Sequence, residues 1–262
     1  MEDHQPESSR KSHGFVAMKS LYRLDQFDRV LALRNRDGLP YLLIGGQAVN
    51  FWAGLYAVRE SALAELKPFT SEDIDFKGDR ADVEHIAAQL KLRAVLPGKV
   101  GMTALAGSIP FTWGDIESNI EVVRVVPGAP QNLESRAIQV EANGQTLRVM
   151  DPVSLFVSKL ELCSTVSQEN RQDIRHLRIL VHCVRHFLGD MLIGAAENQI
   201  DSRTWLNIVG FLLKRTATKS AKRVAREMDF DWSGLLPWAV LKASQDPKLT
   251  RFVEDRRWRT PY

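Results

Sequence analysis

"YLLIGGQAVNFW", residues 41–52, is the stretch on which the reading of this chain turns. Tyr41 to Ile44 are apolar in strand fashion and stop at Gly45-Gly46, and a helical pattern runs on from there over about 47–57. Gly-Gly is a common turn element. The pair alone therefore leaves two readings open, a plain strand-to-helix turn or a backbone kept bare so that a phosphate can approach a helix N-terminus. The residues downstream bear on the choice.

"SEDIDF", residues 71–76, places Asp73 and Asp75 two apart on a short strand around Ile74. Both carboxylates then project from one face, roughly 6–7 Å apart at the backbone. Side-by-side carboxylates repel and raise each other's pKa unless a cation sits between them, and hard ions such as magnesium (or manganese) favour such oxygen donors. A solvated strand face explains a bare D-x-D equally well, so a third acid matters. In "SNIEVVRVV", residues 118–126, Glu121 lies between Ile120 and Val122 on what reads as a buried strand, where an unpaired carboxylate is costly. A strand adjacent to Asp73 and Asp75 brings Glu121 into the same cluster; an edge strand turns it to the open face. Asp115 and Glu117 in "WGDIES" are the fallback third ligands, in what reads as a turn.

Outward from these motifs, residues 20–34 carry apolar positions at helical spacing, and 81–92 form a second amphipathic helix pattern. Extended patterns follow in "KVGMTALAGSIPFTW", "NIEVVRVV" and "RAIQVEANGQTLRVM", the last with an Asn143-Gly144 pair suited to a tight hairpin. After Met150 no comparable strand signal remains. Helices begin at Asp151-Pro152, a cap followed by the residue that suits the first helical position. The expected organisation is a frayed tail over 1–14, a mixed α and β unit over 15–150 and a helical unit over 151–262. With 262 residues, 44% hydrophobic, 26% charged and a net charge of +3, the composition is that of an ordinary globular protein and does not by itself mark a nucleic-acid binder. Cys163 and Cys183 are the only cysteines, which argues against a disulfide framework or a cysteine zinc site. The polar start and the lack of a long apolar run predict a cytoplasmic protein with no membrane partner.

Strand, Gly45-Gly46, helix, Asp73-Ile74-Asp75 and Ile120-Glu121-Val122 together resemble the nucleotidyltransferase superfamily that includes DNA polymerase beta, and most closely its bacterial AbiEii-type toxin branch. The resemblance spans about residues 40–126 and extends weakly to about 180. It implies an α+β fold, a nucleotidyltransferase-like mixed sheet with flanking helices followed by a C-terminal helical domain. It also implies transfer of an NMP from an NTP to an acceptor hydroxyl on an RNA end, a protein or a small molecule. Gly45 and Gly46 would form the nucleotide-binding turn, and Asp73, Asp75 and Glu121 would hold Mg2+ or Mn2+, Glu121 either as ligand or as base. Lys159 and Asp173 resemble the lysine and later acid of AbiEii-like enzymes, as catalytic and nucleotide-binding residues. A toxin role and a protein inhibitor (antitoxin) are further implications of that branch. Two features depart from the pattern: Gly46 stands where a small hydroxyl residue is usual, and the stretch from Gly46 to Asp73 is long. They favour the alternative of a catalytically silent nucleotide- or RNA-binding module on the same fold.

The remaining signals are weaker. Lys159 sits near the edge of an apolar helix face and reads equally well as a snorkelling surface lysine; Asp173 reads as a helix-face acid near arginines. From Lys214 to Arg226 the basic residues Lys214, Arg215, Lys219, Lys222, Arg223 and Arg226 occur without an acid. On one helix they form a stripe able to follow an RNA backbone, or a solvated face. His176, His182 and His186 lack the Glu of H-E-x-x-H and read as helix-face or core residues.

Overall fold

In the computed structural model, residues 20–98, 103–142, 144–196 and 201–255 are described; the expected tail over 1–14 and Asn143 of the expected hairpin lie outside them. In chain order the elements are α1 (Asp28–Leu31), β1 (Leu42–Ile44), α2 (Gly45–Tyr56), α3 (Ser61–Glu65), β2 (Ile74–Lys77), α4 (Arg80–Leu90), β3 (Leu105–Trp113), β4 (Ile116–Val123), β5 (Ile138–Ala142) and β6 (Gln145–Val149). Helices follow: α5 (Pro152–Thr165), α6 (Asp173–Ala196), α7 (Ser202–Thr216), α8 (Lys219–Met228), α9 (Trp238–Ala243) and α10 (Pro247–Glu254). The fold is α+β, one six-stranded mixed sheet in the order β3-β4-β2-β1-β6-β5 with flanking helices, and only helical elements among the described residues after β6.

Two local expectations are corrected, the helix over 20–34 and the extent of the turn in "WGDIES". The helical pattern over 20–34 yields only a 3-10 turn at Leu24–Phe27 and the single turn of α1. Phe27, Val30, Leu31 and Leu33 are buried while Leu21 is exposed, and Tyr22 pairs with Ser71 through two backbone hydrogen bonds of 2.8 and 2.9 Å, which holds the start of the segment extended. The long stretch before Asp73 contains α3. Arg175 of α6 donates to the carbonyls of Leu66, at 2.7 Å, and of Pro68, tying the connection down. In "WGDIES" the turn is confined to Gly114 and Asp115, with Gly114 in the left-handed region at φ 57, and β4 already runs from Ile116.

The register of the sheet positions the acids. β2 pairs with β4 in parallel, Ile74 opposite Ile120 and Asp75 opposite Glu121, while β1 runs antiparallel to β2 with Ile44 opposite Asp75. Because side chains alternate across a strand, Ile74, Phe76, Ile120 and Val122 share one face and are each at most 2% exposed, leaving Asp75 and Glu121 on the other. α5 starts where Asp151 accepts from the Ser154 N–H at 2.9 Å and Pro152 needs no donor of its own. Its Val153, Phe156, Val157 and Leu160 join Ala48, Val49 and Trp52 of α2 and Leu177, Leu180 and Val184 of α6 in one continuous core. Each large apolar side chain removed from water contributes roughly 1.5–3 kcal/mol. That packing fixes α5 and α6 over the carboxylate-bearing part of the sheet.

Candidate active site

Asp73, Asp75 and Glu121 each present a carboxylate oxygen within 4.8 Å of the others, the one such acidic or metal-ligating group among the described residues. Neither fallback acid, Asp115 or Glu117, belongs to it. β2 supplies Asp75, the residue two before it supplies Asp73, and the parallel neighbour β4 supplies Glu121 at the matching register. Ser118 steadies the approach by donating to the Glu72 carbonyl at 2.6 Å. Burial, then the charges of Asp73 and Glu121, push the Asp75 carboxyl well above the usual carboxylate range; Lys159 and the Gly46 N–H oppose this. Three oxygen donors whose mutual repulsion a cation would relieve fit a hard divalent ion.

The glycine pair lies against this cluster. Ile44 is opposite Asp75, so the turn after β1 falls on the Asp75 side chain. Gly45 has φ 65, and a Cβ there would land inside the Asp75 carboxylate. The Gly46 N–H, at the start of α2, is donated to Asp75. A Cβ on Gly46 would strike the Ser71 hydroxyl, with Ser71 Cβ at 2.9 Å and His176 Cε1 at 3.1 Å. Both glycines are therefore required by close approach, to a carboxylate in one case and to Ser71 and His176 in the other.

A cavity of about 840 Å³ opens over these residues, and Lys159, Arg171, Gln172, Asp173 and His176 also line it. Lys159 is no snorkelling surface residue: it is 8% exposed and donates to Asp173 at 2.7 Å. Arg171 donates to the other oxygen of Asp173 at 2.6 Å. Burial alone would raise the Asp173 pKa, but Lys159 and Arg171 outweigh it and hold it below the usual range. No family model matches the chain, and no curated protein matches it. Among solved structures it is similar to an antigenic nucleotidyltransferase-like protein from Paracoccidioides brasiliensis. The identity is 15% and the TM-score 0.37, over 60% of this chain and 71% of that one.

Two polar residues of the cavity wall are absent from the sequence-level candidate set. His176 is 2% exposed, and neither ring nitrogen has a hydrogen-bond partner among the described residues; the Gln172 Oε1 is likewise buried and unpartnered. A buried polar atom left in this state costs about 1–3 kcal/mol. Burial first, then the Lys159 charge, push the imidazole well below its ordinary pKa, so it is neutral. Gln172 immediately precedes α6 and His176 lies on its first turn, four residues on, a spacing that does not by itself reveal the surroundings of either.

The basic run does not form one helical stripe. α7 ends at Thr216 and α8 restarts at Lys219, because the Thr218 hydroxyl caps the Ala221 N–H at 3.2 Å. Lys219, Lys222 and Arg226 line a separate cavity of about 740 Å³ with Asp229 and Phe230, and are not in the wall of the acid cavity. Arg223 donates to the Ser164 carbonyl at the end of α5, at 3.0 Å. His182 and His186 gather on Glu60, at 3.7 and 3.1 Å, with Arg185 on the same oxygen. Burial would raise the Glu60 pKa, but His186 and Arg185 outweigh it and lower it to about 2. Cys163 and Cys183 are buried and unpaired. No helix of the described residues is long and apolar enough to cross a membrane.

Proposed function

We propose that the protein is a magnesium- or manganese-dependent nucleotidyltransferase that moves an NMP from an NTP to an acceptor hydroxyl. The observation that carries this reading is the convergence of three carboxylates beside a glycine turn at a helix N-terminus, in a cavity that Lys159 also lines. Asp73 and Asp75 would hold the metal and Glu121 would complete the set or act as base. A divalent ion bound there supplies neutralisation of phosphate charge and alignment of the attacking and leaving oxygens.

The chain's own residues perform the rest. The acceptor oxygen forms a bond to the α-phosphorus, the bond from that phosphorus to the bridging oxygen breaks, and pyrophosphate leaves with the electron pair. The hydroxyl proton passes to a carboxylate, the role open to Glu121. The N-terminal turn of α2 would face the polyphosphate, and the Lys159–Asp173–Arg171 group, net positive by one charge, would add attraction within the same cavity. The site would thus lie between a catalytic unit over 15–150 and a helical unit over 151–262. For an RNA acceptor, the basic residues of α8 form a second contact area. A toxin-type role in the cytoplasm, held in check by a protein inhibitor, belongs to the same proposal.

One observation favours a silent module instead: Asp75 already takes the Gly46 N–H, one of the donors that would otherwise be offered to a phosphate. Incubation with each α-labelled NTP, Mg2+ and total RNA or protein separates the readings. Label transferred to an acceptor is expected; bound NTP with no transfer from any nucleotide, to either acceptor class, would leave the silent module.

A further inference from the structure

We propose that His176 is the polyphosphate anchor of the site, donating a ring N–H to a terminal phosphate of the nucleotide lodged between the opening turns of α2 and α6. The inference rests on the nucleotidyltransferase reading and adds to it the residue that recognises the part of the substrate that departs.

Position and unused donor capacity point the same way. Gly46 and His176 line one cavity, and the imidazole Cε1 is 3.1 Å from where a Gly46 Cβ would stand. The ring therefore packs against the first turn of α2, and the absence of a side chain at Gly46 is what admits it. The imidazole is 2% exposed, yet neither nitrogen is satisfied among the described residues. A neutral imidazole has one N–H to give and one lone pair to receive. Of the charged groups acting on it, Lys159, Arg171 and Arg175 are cations and cannot accept a ring N–H, and the Asp173 carboxylate is taken up by Lys159 and Arg171. Two helix N-termini add partial positive charge at this spot, since α2 with 12 residues and α6 with 24 both begin at the cavity, while the carboxylates of the same cavity oppose an anion until a divalent ion offsets them. The Ser71 hydroxyl, which occupies the space a Gly46 side chain would take, is a second neutral donor at the same spot.

The test uses inorganic tripolyphosphate, which carries the anionic part of the substrate without base or sugar, titrated with Mg2+ into the full chain. AMP, which lacks the terminal phosphates, is the control. A hydrogen bond to a charged partner implies that His176→Ala weakens tripolyphosphate binding roughly tenfold to a hundredfold and leaves AMP binding unchanged, while His176→Gln, which keeps an N–H donor, retains most of the affinity. In the wild-type protein the His176 Cε1–H resonance should shift on saturation with tripolyphosphate, a readout independent of how the variants fold. Equal tripolyphosphate affinity in wild type and His176→Ala, an equal loss for AMP, an unmoved resonance, or no binding by the wild-type chain would each overturn the proposal. Absence of NMP transfer in a protein whose His176 resonance responds to tripolyphosphate would instead refute the nucleotidyltransferase reading and leave the anchor standing.

Discussion

Gly45 shows how much of this site depends on single atoms. Its φ of 65 lies in the left-handed region, and any Cβ would overlap the Asp75 carboxylate. Gly45→Ala is expected to lower stability by about 1–3 kcal/mol, from backbone strain of that size, and to displace Asp75. Urea unfolding reads the first effect and loss of the Mg2+ response reads the second. Asp173→Asn removes the negative charge to which Lys159 donates in the cavity lining, where the lysine is 8% exposed. Breaking one side of such a buried pair costs about 3–5 kcal/mol, whereas replacing both residues with apolar groups of similar volume should restore much of the loss. A urea series on the single and double variants checks it. Asp73 and Asp75 were legible as a pair in the sequence because alternation along a strand is a local property. His176 was not, since its surroundings depend on how α6 enters beside the first turn of α2, and no spacing within "RQDIRHL" encodes that approach.

At the scale of elements, the apolar run around Glu121 signalled a buried strand, but which strand it would pair with is a long-range matter. The register Asp75 to Glu121 settles the position that alternation alone left open between cluster and open face. Local chemistry also overrode pattern in the basic run, where Thr218 starts a new helix. Thr218→Ala should cost about 1 kcal/mol by removing that cap, visible in chemical denaturation and neutral for the acid cavity. The exit of α2 is joined to α6 through Glu60, whose pKa falls from 4.5 to about 2. A carboxylate depressed on folding contributes stability above its unfolded pKa and loses it as pH falls through the folded one. The contribution, at most about 3 kcal/mol, should therefore be complete above about pH 4.5 and vanish towards pH 2. Glu60→Gln should lower the urea midpoint at pH 7 and scarcely change it near pH 2; an equal drop at both pH values would contradict the linkage.

Across the whole molecule, the sheet supplies the acids and the helices beyond residue 150 supply the cations and imidazole of one cavity, so neither part builds the site alone. Asp75 has a folded pKa raised above 3.8, hence its ionisation at neutral pH opposes folding of the metal-free chain. Mg2+ or Mn2+ should accordingly raise the melting temperature of the wild type, with a further rise on adding NTP. Asp75→Asn should melt higher than wild type without metal and respond less to it. The most direct measurement of the central claim is transfer of label from α-labelled NTP by wild type, Asp73→Asn, Asp75→Asn and Glu121→Gln side by side, with folding of each confirmed. Transfer by the wild type and its loss in the two aspartate variants and the glutamate variant is the expected result; full transfer by Asp73→Asn and Asp75→Asn would show that the converging acids are not the centre of the chemistry.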